Sequence, residues 1–312
     1  MAGYRLAVSR RYHVFINDAA GTAGEGDVSA KDLAEAFRQV GVDATVIDVD
    51  AEHLPDAMRE AWRSGIDAVV VGGGDGTTNC AADVAVADKM VLGVLPMGTF
   101  NHFAKDLGLT SDLEEAVKFL AAAEVTAVDV GEVNGRIFVN NASIGVYPEM
   151  VANRDEIRKR RGWGKIRAAP VAIVRALRRL PVHHLRLTVD DSPRLAIDTP
   201  LLFVRNGSFD DHGVRVGRRT SLEDHRLCAY VIATASRWRL VVNAIQARFG
   251  GVNAAPLMMR HSGEHLIVDS DEPSLAVALD GEPTDLRVPL SFRTRPGALR
   301  VLARAPNRRE GE

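Results

Sequence analysis

The sequence predicts an α/β + β protein in which a doubly wound, Rossmann-like domain precedes a β-rich antiparallel sandwich domain. Three observations predict it. Apolar strands alternate with amphipathic helices over the first 130 residues, short alternating strands follow, and 312 residues are enough for two ordinary domains. We assign 1–130 to the α/β domain, 131–305 to the β-rich domain and 306–312 to a flexible tail.

The composition excludes several classes of protein. Lys and Arg total 39 against 41 Asp and Glu, so a polybasic nucleic-acid coat is excluded and no nucleic-acid partner is expected. Two cysteines, Cys80 and Cys228, are too few for a disulfide scaffold or a four-cysteine zinc site. No apolar run reaches the length of a membrane span. We therefore expect a cytoplasmic protein.

The first half alternates strands and helices in a regular order. The 67–71 run, DAVVV, is continuously apolar, as in a strand buried on both faces of a parallel sheet. Ser111 and Glu114 form a capping box before an apolar helical repeat. We predict strands at 13–17, 42–49, 67–71 and 91–95, and helices beginning near Ser29, Pro55, Thr78 and Ser111. In such a sheet, ligands bind at the carboxyl ends of the strands.

The second half carries short alternating runs separated by turn dipeptides such as Asn134-Gly135 and Asp280-Gly281. This pattern indicates an antiparallel sandwich or barrel. The predicted strands are 127–133, 136–140, 184–189, 200–204, 227–232, 265–268, 275–279 and 286–293.

The strongest local signal is the glycine-rich segment, residues 72–77 with the sequence GGGDGT, between a predicted buried strand and a helix. Glycines let the backbone approach a phosphate closely, and the helix start presents N–H donors. Asp75 is suited to hold a divalent metal on nucleotide phosphates. A plain strand-to-helix turn is the alternative, although four glycines in five residues exceed what a turn needs.

Two further strand-end loops carry small and polar side chains. One is the 95–104 segment, LPMGTFNHFA, and the other is 17–21, NDAAG. Since parallel strands end at the same edge of their sheet, these loops and the glycine-rich segment are expected to line one crevice.

These loops resemble, in order and spacing, the diacylglycerol kinase catalytic family, which includes sphingosine, ceramide and bacterial lipid kinases. The family motifs are NPxSG, GGDGT and LPxGTxND. Later landmarks of the family are matched by VGEV at 130–133, VNNASIG at 139–145 and DGE at 280–282. The resemblance therefore covers nearly the whole chain.

The resemblance implies ATP and Mg²⁺ as cofactors and assigns roles to individual residues. Glu282 matches the general base that takes the proton of the lipid hydroxyl, and Asp75 is the second catalytic residue and a metal ligand. A structural magnesium site would use the Asp224 side chain with the carbonyls of Ser221 and Arg226. The implied ATP-binding residues are Asn17, Gly21, Gly73, Gly74, Asp75, Gly76, Thr77, Asn79 and Thr99.

The chain departs from the family pattern at several positions. His102 stands where the motif has Asp, which removes one expected metal-linked carboxylate, and Asp106 is the substitute we consider. Asp18 and Ala20 replace the Pro and Ser of the first loop. His225 follows Asp224 where Gly is usual.

One segment departs from the balanced charge. Residues 154–179 contain ten Lys and Arg but two acids, and Trp163 lies among them. A basic amphipathic segment with an aromatic anchor suits an anionic bilayer surface, whereas an exposed, solvated helix is the alternative. We expect the protein to associate peripherally with the inner face of the membrane, through Arg158, Lys159, Arg160, Arg161 and Trp163.

Together these features predict an ATP-dependent lipid kinase, with diacylglycerol as the default acceptor and phosphatidic acid as the product. Two alternatives stay open. One is a kinase that phosphorylates NAD, and the other is a non-catalytic protein that binds lipid or nucleotide on the same scaffold. The acceptor and the oligomeric state, including a homodimer, are also open.

Overall fold

A computed structural model describes residues 10–16, 29–145, 182–207, 221–232 and 258–304. The chain divides into two compact units. The first comprises Met1–Val130, Asp210–Glu223 and Pro296–Glu312, and the second comprises Gly131–Phe209 and Asp224–Arg295. The predicted fold class, an α/β domain followed by an antiparallel β sandwich, is confirmed.

Helices and strands alternate in the first half of the described chain, and strands alone follow. The helices are α1 (Ala30–Gln39), α2 (Leu54–Arg63), α3 (Asp75–Asp88), α4 (His102–Asp106) and α5 (Leu113–Ala122). The first eight strands are β1 (Arg10–Ile16), β2 (Val42–Asp48), β3 (Ala68–Gly73), β4 (Val91–Pro96), β5 (Glu124–Val133), β6 (Arg136–Phe138), β7 (Asn141–Gly145) and β8 (His183–Val189). The others are β9 (Leu195–Thr199), β10 (Leu201–Asn206), β11 (Leu227–Ile232), β12 (Met258–Gly263), β13 (His265–Ser270), β14 (Ser274–Leu279), β15 (Glu282–Arg287) and β16 (Leu290–Ala303).

The first unit is built on a parallel sheet in the order β2-β1-β3-β4. Every residue of β3 and β4 is buried, as the continuous apolar runs in the sequence predict for central strands. The end of β16 adds a parallel strand beside β4, where Arg300 pairs with Val91 and Val301 with Leu92. The carboxyl ends of β3 and β4 lie side by side and lead into α3 and α4.

The helix starts differ from the sequence predictions at two places. The N-cap of α5 is Asp112, whose carboxylate accepts the Glu115 N–H at 2.9 Å, so the capping box predicted at Ser111 and Glu114 is wrong by one residue. Helix α3 begins at Asp75 rather than near Thr78. Residues 75–77 of the glycine-rich segment therefore form a first helical turn.

The second unit is a sandwich of two sheets. One sheet is antiparallel throughout and runs β12-β11-β10-β7-β14-β15. The other contains β9, β8, β13 and the start of β16, also antiparallel. The predicted single strand 286–293 was wrong, since β15 and β16 are separate strands on different sheets. Strands β7, β9 and β12 were not predicted.

One apolar core fills the space between these sheets. Leu187, Val268 and Phe292 face it from one sheet, and Ile144 and Val277 from the other, each at most 1 % exposed. Two sheets that each bury one face against the other explain the alternation of the sequence.

The second unit contains a buried carboxylate. Glu132 is only 7 % exposed, and its oxygens accept hydrogen bonds from Arg293 at 2.8 Å and from Arg295 at 3.3 Å. Paired charges of this kind avoid the cost of an isolated buried carboxylate.

The two Xaa-Gly turns are confirmed. Asn134 and Asp280 have φ of 48°, and Gly135 and Gly281 have φ of 85° and 97°. Two successive residues of positive φ make the tight hairpin turn that Asn-Gly and Asp-Gly favour.

Some predicted residues lie outside the described residues. They are Asn17, Gly21, the basic segment 154–179 with Arg158, Lys159, Arg160, Arg161 and Trp163, and the tail 306–312. Among the helices that the structure describes, none has the length and apolar character needed to cross a membrane.

Candidate functional site

The start of α3 is the centre of the site. Its N-cap is Gly74, which has no side chain to accept a hydrogen bond, whereas Ser29 and Asp112 cap α1 and α5 with side-chain oxygens. The first N–H groups of an α-helix have no acceptor within the helix, and the helix dipole adds about half a positive charge there. The start of α3 is therefore suited to bind an anion such as a phosphate.

Glycines allow the two strand-end segments to meet. A Cβ placed on Gly98 would overlap the Cα of Gly74, and one placed on Gly72 would lie 2.5 Å from the Met97 sulfur. The Met97 N–H also donates to the Gly73 carbonyl at 3.2 Å. Gly98 is thus required by its close contact with the backbone of Gly74, whereas the space beside Gly72 is filled by the Met97 side chain.

Asn101 fixes the shape of the 95–104 segment. The Gly98 N–H donates to its Oδ1 at 2.9 Å, and its Nδ2 donates to the Gly98 carbonyl at 2.7 Å. Asn101 is 5 % exposed and has a φ of 51°, a conformation that Asn tolerates better than most residues. The Asn101 side chain therefore stabilises the conformation of the loop, which explains why an Asn occupies this position.

Asp75 joins the two segments. It is the first residue of α3, and its Oδ1 accepts the backbone N–H of His102, the first residue of α4, at 2.8 Å. In the described part of the chain, its Oδ2 accepts no hydrogen bond. The carboxylate thus retains an oxygen suited to a divalent metal.

The structure brings most of the predicted phosphate-binding residues together. The residues at the junction of β3 and α3 are Gly73, Gly74, Asp75, Gly76 and Thr77. Thr99 is exposed on the neighbouring segment, and Asn79 lies on α3. Sequence reasoning missed Gly98 and Asn101 as structural members of the site, although both belong to the quoted motif.

An aromatic pair lies on the 95–104 segment. The rings of Phe100 and His102 stack with centroids 5.7 Å apart and planes 5° apart. The Asp expected at position 102 is thus replaced by an imidazole, while the contact to Asp75 uses the backbone of this residue. Any residue other than proline could make that backbone contact.

The predicted base, Glu282, belongs to the second unit. It is exposed and begins β15, directly after the Asp280-Gly281 turn. The Asp280 carboxylate accepts the N–H groups of Val139, Asn140 and Asn141 at 2.7–2.8 Å. The turn that carries Glu282 is thereby fastened to the start of β7.

One predicted ligand atom of the structural metal site already accepts a hydrogen bond, since the Arg226 carbonyl accepts the Gly207 N–H at 2.9 Å. The Ser221 hydroxyl, which is not a predicted ligand, accepts the Glu223 N–H at 3.0 Å. Across the described ranges, no three His, Cys, Asp or Glu side chains cluster as a metal site. Asp224 and its neighbours stay a prediction.

Cys80 lies on α3 behind the glycine-rich segment. Burial raises the pKa of its thiol, the Asp83 carboxylate raises it further, and the nearby Arg59 acts in the opposite direction. A thiol with a raised pKa is a weak nucleophile at neutral pH, which argues against a catalytic role for Cys80.

Two family models match the chain. Residues 11–133 match the diacylglycerol kinase catalytic domain, and residues 142–303 match the YegS C-terminal NAD kinase beta sandwich-like domain. The first match contains the glycine-rich and 95–104 segments, and the second contains Glu282.

Relatives match across most of the chain. The "Probable lipid kinase YegS-like" of Pseudomonas aeruginosa is 32 % identical over 288 residues, covering 89 % of this chain and 90 % of that protein. The same-named protein of Pseudomonas syringae pv. tomato is 30 % identical over 269 residues, covering 81 % and 80 %.

Solved structures share the fold. A crystal structure of a diacylglycerol kinase from Bacillus anthracis str. Sterne has a TM-score of 0.65 at 18 % identity, covering 94 % of this chain and 97 % of that one. An NAD kinase from Archaeoglobus fulgidus in complex with ATP has a TM-score of 0.50 at 14 % identity, covering 96 % and 95 %. With both family models matched in order and a relative at 32 % identity over nine-tenths of the chain, this protein belongs to the YegS-like lipid kinases of the diacylglycerol kinase catalytic family.

Proposed function

We propose that this lipid kinase transfers the γ-phosphate of ATP to a lipid hydroxyl, with diacylglycerol as the acceptor and phosphatidic acid as the product. The observation that carries the proposal is the uncapped start of α3, which presents backbone N–H donors beside the Asp75 carboxylate. Such a group of donors recognises phosphate. The family and the names of the relatives support a lipid as acceptor.

The first step is binding of the nucleotide phosphates. The N–H groups of residues 75–77 would donate to phosphate oxygens, and Thr99 would add a hydroxyl from the neighbouring segment. Oδ2 of Asp75 and the phosphate oxygens together are suited to Mg²⁺, which prefers oxygen ligands. When bound, Mg²⁺ would neutralise part of the negative charge on the phosphates.

The second step is transfer. The lipid hydroxyl oxygen forms a bond to the γ-phosphorus, the bond from that phosphorus to the β–γ bridging oxygen breaks, and ADP leaves. The hydroxyl proton passes to the carboxylate of Glu282. A general base of this kind contributes about 10²–10⁴-fold in rate. Asp280, fastened to three backbone N–H groups, would hold the turn that positions Glu282.

The test is transfer of labelled γ-phosphate from ATP to lipids in mixed micelles. The panel contains diacylglycerol, monoacylglycerol, sphingosine, ceramide and phosphatidylglycerol, and NAD is the soluble control. Label on diacylglycerol supports the proposal, label on another lipid changes the acceptor, and label on NAD alone would replace the proposal with an NAD kinase activity.

Matched variants separate the roles of the carboxylates. Glu282→Gln should lower transfer by about 10²–10⁴-fold and leave ATP affinity unchanged. Asp285→Asn, which removes another exposed carboxylate of β15, should leave both unchanged. Asp75→Asn should weaken binding of ATP with Mg²⁺. If Glu282→Gln transfers phosphate as fast as the unaltered protein, Glu282 is not the base.

We also propose that the basic segment 154–179 brings the protein to anionic membranes. The support is the excess of Lys and Arg around Trp163 in the sequence. Neutralising 158–161 should weaken binding to phosphatidylglycerol vesicles, with the largest effect at low salt, and should leave ATP affinity alone. Unchanged vesicle binding would assign this segment to the solvated surface.

A further inference from the structure

The two segments of the proposed phosphate site carry little positive charge of their own, and the nearest Lys in sequence is Lys105 on α4. Neither the glycine-rich segment 72–77 nor the 95–104 segment contains a Lys or Arg. A helix N-terminus supplies only about half a positive charge, far less than the charge of a triphosphate. His102 is the single residue of the two segments with a ring N–H that can donate a hydrogen bond.

The backbone of His102 is fixed next to the start of α3. Its N–H donates to Asp75 Oδ1 at 2.8 Å, and the preceding Asn101 is held by two hydrogen bonds with Gly98. The backbone of His102 therefore lies directly beside the carboxylate that we propose as a metal ligand. A ligand on the helix start would lie next to this residue.

The ring of His102 is also held in place. It stacks on Phe100 with the planes 5° apart, and Phe100 is 57 % exposed, the highest value among the large hydrophobic side chains that the structure describes. A phenyl ring so exposed gains little free energy from burial, so we attribute the position of Phe100 to its stacking with His102. The pair restricts the imidazole before any ligand arrives.

Within the part of the chain that the structure describes, the ring nitrogens of His102 make no hydrogen bond. Over the described ranges, no hydrogen bond or ion pair involves its imidazole. An imidazole N–H is a donor that can bind a phosphate oxygen directly, whereas the carboxylate of the family motif can reach a phosphate only through a metal. The replacement therefore changes the kind of contact available to the nucleotide.

We propose that the imidazole of His102, stacked on Phe100, donates a hydrogen bond to the terminal phosphate of the bound nucleotide. The terminal phosphate carries the most negative charge of the triphosphate and is therefore its strongest hydrogen-bond acceptor. This inference rests on the proposed binding of ATP at the glycine-rich segment. It assigns His102 and Phe100 to nucleotide recognition, a role that does not depend on the lipid acceptor.

The experiment is calorimetric titration of the full chain with ATP and ADP, in Mg²⁺ and in EDTA. His102→Ala should weaken ATP binding about tenfold, as expected for one charge-assisted hydrogen bond, and should change ADP binding little. His102→Gln keeps an N–H donor and should recover part of the loss. Phe100→Leu, which removes the stacking surface, should weaken ATP binding by a smaller factor.

The His102→Asp variant tests the exchange of a donor for a carboxylate. Because a carboxylate repels phosphate unless a metal lies between them, this variant should lose more affinity than His102→Ala in EDTA and regain affinity in Mg²⁺. His53→Ala, which removes another exposed histidine at a helix start, is the matched control and should bind both nucleotides normally.

The outcomes separate this inference from the proposed function. If the unaltered protein binds no ATP in either buffer, the proposed kinase function fails and the inference fails with it. If it binds ATP but His102→Ala and Phe100→Leu bind equally well, the inference alone fails. Equal losses for ATP and ADP would overturn the assignment to the terminal phosphate. Thermal melting of each variant shows whether a loss of ATP affinity is caused by misfolding. If His102→Ala is misfolded, the ATP affinity of His102→Gln is compared with that of the unaltered protein instead.

Discussion

Single carboxylates organise several backbone turns of this protein. Oδ1 of Asp190 accepts the N–H groups of Glu264 and His265 at 2.9 Å, and Asp280 accepts three successive N–H groups. Backbone N–H groups that lack a strand partner must find another acceptor when they are buried. A carboxylate with two oxygens supplies several acceptor positions at once, which explains the acidic residue at each turn.

The Asp280 contacts predict the effect of a single-atom change. In Asp280→Asn, one carboxylate oxygen becomes an NH₂ group that cannot accept the hydrogen bond from Val139, Asn140 or Asn141. We expect the free energy of unfolding to fall by about 1–3 kcal/mol, the cost of leaving a buried donor unpaired. Urea denaturation followed by circular dichroism measures it.

The control for this prediction is Asp285→Asn, which makes the same chemical change at an exposed position of the same hairpin. Its unfolding free energy should stay within about 0.5 kcal/mol of the unaltered protein. Similar losses in both variants would mean that the Asp280 hydrogen bonds do not stabilise the turn.

At the level of helices and strands, the sequence predicts the elements that have strong periodic patterns. The buried runs of β3 and β4 and the Asp280-Gly281 turn follow from local chemistry. Strand β9 was missed because only two of its five residues are buried, Ile197 and Thr199, so its alternation is weak. A weak pattern of this kind is decided by pairing with β8, which the sequence does not display.

The candidate site likewise contains some features that the sequence predicts and others that it does not. The convergence of the glycine-rich and 95–104 segments follows from the rule that parallel strands end at one edge. The contact of Gly98 with Gly74 depends on how closely two backbones approach, and no local pattern encodes that distance. The stacking of His102 on Phe100 likewise arises only once the short helix α4 has formed.

The start of α5 yields a prediction at this scale. Ser111 and Asp112 are both good N-cap residues, but the structure assigns the cap to Asp112. Asp112→Ala should therefore lower the free energy of unfolding by about 0.5–2 kcal/mol, the usual cost of losing a cap. Ser111→Ala should change it by less than about 0.5 kcal/mol. Chemical denaturation of the two variants decides, and a larger loss for Ser111→Ala would restore the capping box that the sequence predicted.

Across the whole chain, each unit has its own core but is assembled from separated pieces of sequence. The start of β16 pairs with β13 in the second unit, and its end pairs with β4 in the first. Near this end, Leu299 and Val301 are fully buried, and Gly297 donates its N–H to the buried Asp129 at 2.9 Å. The first unit is therefore completed only by residues that follow the second in sequence.

This arrangement predicts different effects for two truncations. A chain that ends after Arg295 loses the strand beside β4 and exposes the apolar surface that Leu299 and Val301 cover, at about 1.5–3 kcal/mol for each buried side chain. Since a whole domain is stable by only about 5–15 kcal/mol, the first unit should lose cooperative unfolding and ATP binding. A chain that ends after Arg304 retains these contacts and should melt like the full chain in calorimetry. If the shorter chain also melts cooperatively and binds ATP, the end of β16 is dispensable for the first unit.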